Sequence, residues 1–267
     1  MFCVKIKTME GLTMELYKEL AALRCFTHHD MVVLTGSESA AQWHIRNYLK
    51  KGYIERVRRD LYVVISLETE QPIADRFQIA SRVAENACVS HHSAFEYYGY
   101  ANQVFYEVFV AVPVRVRPFE YDGISYRPVL YAGRTGVQIT DTRVCVTSPE
   151  RTVVDCIANL SLAGGLEEFL RCLALIPSLE EAELLSALGM YNRAQLYQKT
   201  GYLLEAYRHD LMLSDVFFAE CEKRSSVSKT YLTDERNGYV LHERWKLYAP
   251  ADPKVLVNKG VSDYDAV

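Results

Sequence analysis

Residues 26–64 read FTHHDMVVLTGSESAAQWHIRNYLKKGYIERVRRDLYVV. A short apolar helix is expected over residues 30–34, stopped at Gly36. A second helix is expected over residues 37–51, with Ser37 as its N-cap and Gly52 as its stop. A two-stranded ribbon should follow: residues 53–57, a tight turn at 58–60, then residues 61–65. Helix, turn, helix, ribbon is the order of a winged helix-turn-helix, whose second helix can enter the major groove of DNA. Leu12, Leu16, Leu20 and Leu23 mark an amphipathic helix over residues 8–24, which supplies the first helix of the unit.

The second helix divides its side chains between two faces. Ala41, Ile45 and Tyr48 fall at i, i+4 and i+7 and should face the unit's own core. Ser39, Gln42, Trp43, Arg46 and Lys50 fall on the other side. An amide suits adenine edges, a guanidinium suits guanine edges or phosphate, and hydroxyl and ammonium groups suit phosphates. The amides freed at the Ser37 cap offer a further phosphate contact. The ribbon adds Arg56, Arg58 and Arg59. Six basic residues against one acid, Glu55, give residues 46–59 a charge of +5, in a chain whose formal net charge is −4. A basic patch on an acidic chain points to one local contact with double-stranded DNA. The plainer reading is a solvated amphipathic helix with a surface hairpin, since basic winged helices also mediate protein contacts. Trp43 fits either a thymine methyl or sugar in the groove, or packing against the rest of the chain.

Length and composition set the frame. With 267 residues and 49% hydrophobic content, the chain can bury two cores. The boundary is expected in the polar stretch SLETEQPIA, residues 66–74, dividing the chain into 1–70 and 71–267. Residues 1–72 are expected to keep DNA affinity when separated from the remainder. The N-terminus lacks the apolar stretch of a signal peptide, and no run of about 20 apolar residues suggests a membrane span. Seven scattered cysteines without a C-x-x-C pair fit free thiols in a reducing cytoplasm.

Beyond the junction a helix is expected over 75–85, a strand at 88–89, and a helix capped by Ser90 and stopped by Gly99. Strands are expected over 106–113, 118–121, 124–130, 137–140 and 143–146, forming a small, mostly antiparallel sheet through residue 160. Ser148, Pro149 and Glu150 open a helix as N-cap, first residue and first-turn acid. From 161 to 250 the chain reads as mainly helical, over 166–174, 179–188, 193–210 and 214–223, with capping boxes at Ser178-x-x-Glu181 and Asn192-x-x-Gln195. A last strand is expected at 244–248 and a loose tail beyond Pro250. The whole is an α+β fold: a winged helix-turn-helix followed by a mixed α/β domain.

Little in the sequence nominates catalysis. Cys88, His91 and His92 are close, but adjacent histidines at a helix start diverge and no fourth ligand follows at helical spacing. Glu150, Arg151 and Asp155 read as helix-start chemistry with an Arg151–Asp155 pair at i, i+4. Gly36-Ser37 opens like a nucleotidyltransferase site, yet residues 38–60 lack the Asp-x-Asp pair that holds magnesium. Gly164-Gly165 is followed by no P-loop lysine. No enzyme, cofactor or metal is expected. The alternatives kept open are a stand-alone regulator that senses a ligand or partner and a nucleic-acid-processing enzyme.

Several segments, in order, resemble the AbiEi antitoxin family, bacterial transcriptional regulators of type IV toxin–antitoxin systems. LKKGYIER (49–56) with RDLYV (59–63) resembles its helix-to-wing passage. VSHHSAFEYYG (89–99), SPERTVVD (148–155) and TGYLLE (200–205) resemble three later helices of the family. The resemblance implies an N-terminal DNA binder that represses its own operon at promoter inverted repeats, and a C-terminal antitoxin domain. It also implies opposition to a nucleotidyltransferase toxin without a stable complex. The sequence departs at Asp60, where the family has glycine in the wing turn; the added charge should weaken phosphate contact there.

Overall fold

The computed structural model describes residues 9–131 and 133–258. Position 8 and the side chain of Leu12 lie outside the described residues, as does the tail from 259.

The N-terminal module runs α1 (Met9–Leu23), β1 (Cys25–Thr27), α2 (His28–Thr35), α3 (Glu38–Lys51), β2 (Ile54–Arg58) and β3 (Leu61–Val64). The expected helix, turn, helix, ribbon order is present. Thr27 and Asp30 close a reciprocal cap on α2: the Thr27 hydroxyl accepts from Asp30 N at 3.2 Å, and the Asp30 carboxylate accepts from Thr27 N at 2.6 Å. Gly36 and Gly52 end α2 and α3 in the left-handed region, at φ +75° and +70°. The hairpin turn tightens to Arg59–Asp60, with Asp60 at φ +60°. A glycine would fit that position without strain, and Asp is among the few other residues that tolerate it. β1 was not foreseen. It pairs antiparallel with β3 and makes the ribbon a three-stranded sheet of order β1-β3-β2.

β3 belongs to two cores. Tyr62 and Val64 pack with Tyr17, Leu20, Phe26, Met31, Ile45 and Tyr48 of the N-terminal module. Leu61, Val63 and Ile65 pack on the other face, with Ile79, Val108, Val110 and Tyr126 of the second module. The two faces alternate residue by residue, as the pleat requires. The modules are also pinned by Arg143 Nη1 donating to Ala22 O at 3.1 Å and by an Arg82–Asp30 ion pair. The chain does cross between modules near 66–74, but apolar packing continues across that boundary. Residues 1–72 would leave one face of their sheet bare.

The second module begins with α4 (Arg76–Ala80), much shorter than the helix expected over 75–85. Asp75 caps it, and Ser81 ends it by bonding sideways, its hydroxyl accepting from Cys145 N at 2.9 Å. Then come β4 (Cys88–Val89), α5 (His91–Tyr98), β5 (Glu107–Val112), β6 (Phe119–Tyr121), β7 (Ile124–Leu130), β8 (Val137–Ile139) and β9 (Cys145–Thr147). These strands form one sheet, order β6-β7-β5-β4-β9-β8. The hairpin pairs β6–β7 and β8–β9 and the β4–β5 pair are antiparallel; β5–β7 and β4–β9 are parallel, so the sheet is mixed.

Ser148 caps α6 (Pro149–Ala158), its hydroxyl accepting from Arg151 N at 3.2 Å. A short 3-10 turn at Leu160–Ala163 leads to α7 (Leu166–Ala174), α8 (Glu181–Tyr191), α9 (Ala194–Glu205) and α10 (Asp215–Arg224). Neither expected capping box forms. The Glu181 carboxylate accepts from Ser214 N and the Ser214 hydroxyl, and Asn192 ends α8 in the left-handed region. β10 (Thr230–Tyr231), β11 (Val240–His242) and β12 (Leu247–Ala249) make a small third sheet, and α11 (Lys254–Asn258) lies in the tail expected to be loose. The last strand therefore starts three residues later than expected. Trp245 instead turns inward, 2% exposed, onto Gly201, where a Cβ would overlap its ring. The six described cysteines are all free.

His91 gives the fold a pH dependence. It is buried, sits at φ +51°, and its Nδ1 lies 3.0 Å from Ser90 Oγ. Burial holds its pKa below the ordinary histidine value; Asp155 opposes this and Arg151 adds to it. The unfolded chain then takes up a proton near pH 6.5 that the folded chain refuses. Stability should be fully present above that pH and fall as pH drops from 7 toward 5. His91→Asn, which tolerates the left-handed backbone, should flatten that slope in urea titrations. An unchanged slope would remove His91 as its source.

Candidate nucleic-acid interface

α3 holds its expected division of faces. Ala41, Ile45 and Tyr48 are buried, while Ser39, Gln42, Trp43, Arg46 and Lys50 are exposed. The Ser37 hydroxyl is engaged as the cap, accepting from Ala40 N at 3.2 Å. Glu38 occupies the start of the same face: its Oε1 accepts from the Gln42 amide at 3.1 Å and lies 3.4 Å from His28 Nε2. Gln42 must leave Glu38 before it can meet a base edge. Trp43 is 49% exposed, and its ring partner is His44 of the same helix, edge-on at 4.8 Å. The Trp43 ring is thus not docked on the second module. His44, half-buried between Trp43 and Tyr48, has its pKa lowered by burial.

The hairpin splits its arginines between two sides. Arg56 lies over the Tyr62 ring at 5.5 Å, on the side of the sheet facing the module's own helices. Arg58 lies over Phe119 of the second module at 5.2 Å. Its Nη1 is buried without a hydrogen-bond partner, and burial lowers its pKa against the pull of Asp60. Arg59 is 92% exposed at the turn, 3.5 Å from Asp60. The structure therefore keeps the α3 residues together on one exposed face, leaves Arg59 exposed at the tip, and turns Arg58 toward the second module.

A cleft of about 900 Å³ opens between the hairpin tip and the second module, lined in part by His28, His29, Arg58, Arg59, Arg82 and Asn86. Sequence reading did not find it, because Arg82 meets Asp30 across 52 positions of chain. Burial pushes the Asp30 carboxyl up, but hydrogen bonds from Thr27 and Arg82 outweigh this and hold it below its usual range.

In the second module, Glu150, Arg151 and Asp155 are buried, and each is held by hydrogen bonds. Arg151 Nε donates to Asp155 at 2.6 Å, and its Nη1 donates to Thr135 O at 2.7 Å and Gly133 O at 3.0 Å. Tyr191 Oη donates to Asp155 at 2.6 Å, and Glu150 accepts from Glu180 N at 3.2 Å. Cys88, His91 and His92 diverge: Cys88 accepts from Tyr131 Oη at 3.0 Å, while His92 reaches Glu96 and Glu168. Among the described residues no helix is long and apolar enough to cross a membrane.

No curated protein matches this chain. The structure is similar to the crystal structure of the RV2827C protein from Mycobacterium tuberculosis, with a TM-score of 0.63, 15% identity and 96% of each chain covered. At that identity the likeness concerns the fold alone. Residues 86–206 match the family model described as the AbiEi antitoxin C-terminal domain, and it is to that antitoxin family that this part of the chain is similar.

Proposed function

We propose that the N-terminal module is a winged helix-turn-helix that represses the protein's own operon by binding inverted repeats in its promoter, and that the second module opposes a nucleotidyltransferase toxin without a stable complex, as a type IV antitoxin of the cytoplasm. The observation that carries the DNA reading is the outward face of α3. It presents amide, indole, guanidinium and ammonium groups to solvent. The antitoxin reading rests on the family match over residues 86–206. The mutual satisfaction of Arg151, Asp155 and Tyr191 supports a non-enzymatic role for that segment. Arg58, stacked on Phe119, contributes to the joint between modules, so the phosphate contacts fall to Arg56, Arg59 and Lys50, with Ser37 and Ser39 at the helix start.

Gel shifts with the protein's own upstream DNA test this. Affinity should fall tenfold or more between about 50 and 200 mM salt, because several phosphates are neutralised. Gln42→Ala and Arg46→Ala should each cost about 1–3 kcal/mol of discrimination between operator and random DNA. Lys50→Ala should weaken both alike. Absent or salt-independent binding would sink the DNA reading. Protection of cells expressing a nucleotidyltransferase toxin, with and without the protein, tests the antitoxin reading separately.

A further inference from the structure

A buried polar chain between α5 and α7 is used by neither activity. His92 is fully buried, its ring stacked on Phe105 at 3.9 Å. Its Nδ1 lies 3.0 Å from Glu96 Oε1, one turn along α5, and its Nε2 lies 3.1 Å from Glu168 Oε1 on α7. Cys172, one turn beyond Glu168, places Sγ 3.5 Å from the same oxygen. One donor atom from each of His92, Glu168 and Cys172 lies within 4.8 Å of the others. Glu168 is 4% exposed, and its second oxygen, Oε2, is buried without any hydrogen-bond partner.

Charge balance decides how this cluster reads. Arg76 offsets Glu96, with which it forms an ion pair. Among the described residues no Lys or Arg pairs with Glu168; its Oε1 receives Gln103 N at 3.1 Å besides His92 and Cys172. A neutral imidazole that donates Nδ1–H to Glu96 turns its Nε2 lone pair onto an anionic oxygen, which is repulsive. A proton on Nε2 would mend that contact and still leave Oε2 orphaned, at a cost of about 1–3 kcal/mol or more for a charged group. A divalent cation removes both faults. It would take the Nε2 lone pair, a Glu168 oxygen and the Cys172 sulfur as thiolate, donors whose two negative charges match its own, and would sit beside the orphaned Oε2. Glu96 behind His92 then fixes the ring in the manner of a carboxylate–histidine–metal triad.

We propose that His92, Glu168 and Cys172 bind a thiophilic divalent cation of the zinc class, which clamps α5 to α7. Imidazole and thiolate donors select zinc over magnesium or calcium. The proposal stands apart from the DNA and antitoxin readings. Full-length protein, stripped with a chelator and dialysed, is titrated with Co²⁺. The expected result is a thiolate-to-cobalt charge-transfer band that saturates at one equivalent per chain and disappears when Zn²⁺ is added. Cys172→Ser should abolish the band, and Glu96→Gln should keep it while weakening binding about 10–100-fold. Absence of Co²⁺ binding by the wild type, or a band that survives in Cys172→Ser, would overturn the site. Should Cys172→Ser not fold, His92→Gln, which keeps the thiol, replaces it: tenfold or greater loss of Co²⁺ affinity is expected, and unchanged affinity overturns the proposal equally.

Discussion

Arg151→Ala is expected to lose about 3–5 kcal/mol of stability, the cost of leaving one partner of a buried ion pair uncompensated. The Arg151 and Asp155 side chains are 1% and 2% exposed. Without the guanidinium, Asp155 keeps, among the described residues, the Tyr191 hydroxyl, and the carbonyls of Gly133 and Thr135 lose the Arg151 donor. A stability of about 5–15 kcal/mol is usual for a domain, so the variant should be marginal or unfolded. Urea unfolding of Arg151→Ala, Asp155→Ala and the double variant reads the pair. The double variant should cost less than the two single losses added together, because each single change strands a charge. An Arg151→Ala protein within about 1 kcal/mol of wild type would mean that the pair does not hold α6 in place. An Asp155→Ala protein that stays fully stable while losing toxin protection would instead point to chemistry at this helix.

Val63→Asp should be comparably severe, about 4 kcal/mol or more, since it sets an unpaired carboxylate in a dry core. Val63 is 0% exposed and faces Val108, Val110 and Tyr126 of the other module. Val33→Asp is the control: Val33 is 67% exposed on α2, and the change should fall within about 0.5 kcal/mol. The same geometry predicts that a fragment of residues 1–72 binds apolar dye and lacks a cooperative melt, because Val57, Leu61, Val63 and Ile65 lose their cover. A sharply melting, dye-silent fragment would show that the first core suffices, as the leucine-rich first helix alone suggested.

What the sequence disclosed follows the range of the forces involved. α3, its Ser37 cap and its Gly52 stop were legible because they are set within a few residues. So were Ser148 and the Arg151–Asp155 pair. The capping boxes at 178 and 192 failed although the pattern was right, since Glu181 had a better partner in Ser214, 33 positions away. β1 is three residues long, too short to carry alternation, and exists only because β3 offers an edge. The parallel pairing of β5 with β7 depends on register across a turn-back that local propensity does not encode. At the interface, the exposed face of α3 was readable from helical period, but the turn of Arg58 toward Phe119 was not. One signal was there to be used. LYVVI, residues 61–65, is an unbroken apolar run, and a strand wet on one side would alternate with polar residues.

That unbroken strand bears on how such a protein can be inherited. Modules joined by a linker can be shuffled by recombination, each keeping its own floor and roof. Here a crossover between the hairpin and β5 would seat Leu61, Val63 and Ile65 on a foreign surface with the wrong shape. Changes on one side of β3 must be answered by changes on the other. Swapping either half alone would therefore mismatch the shared strand, whereas the outer face of α3 can change without touching either core's shared wall.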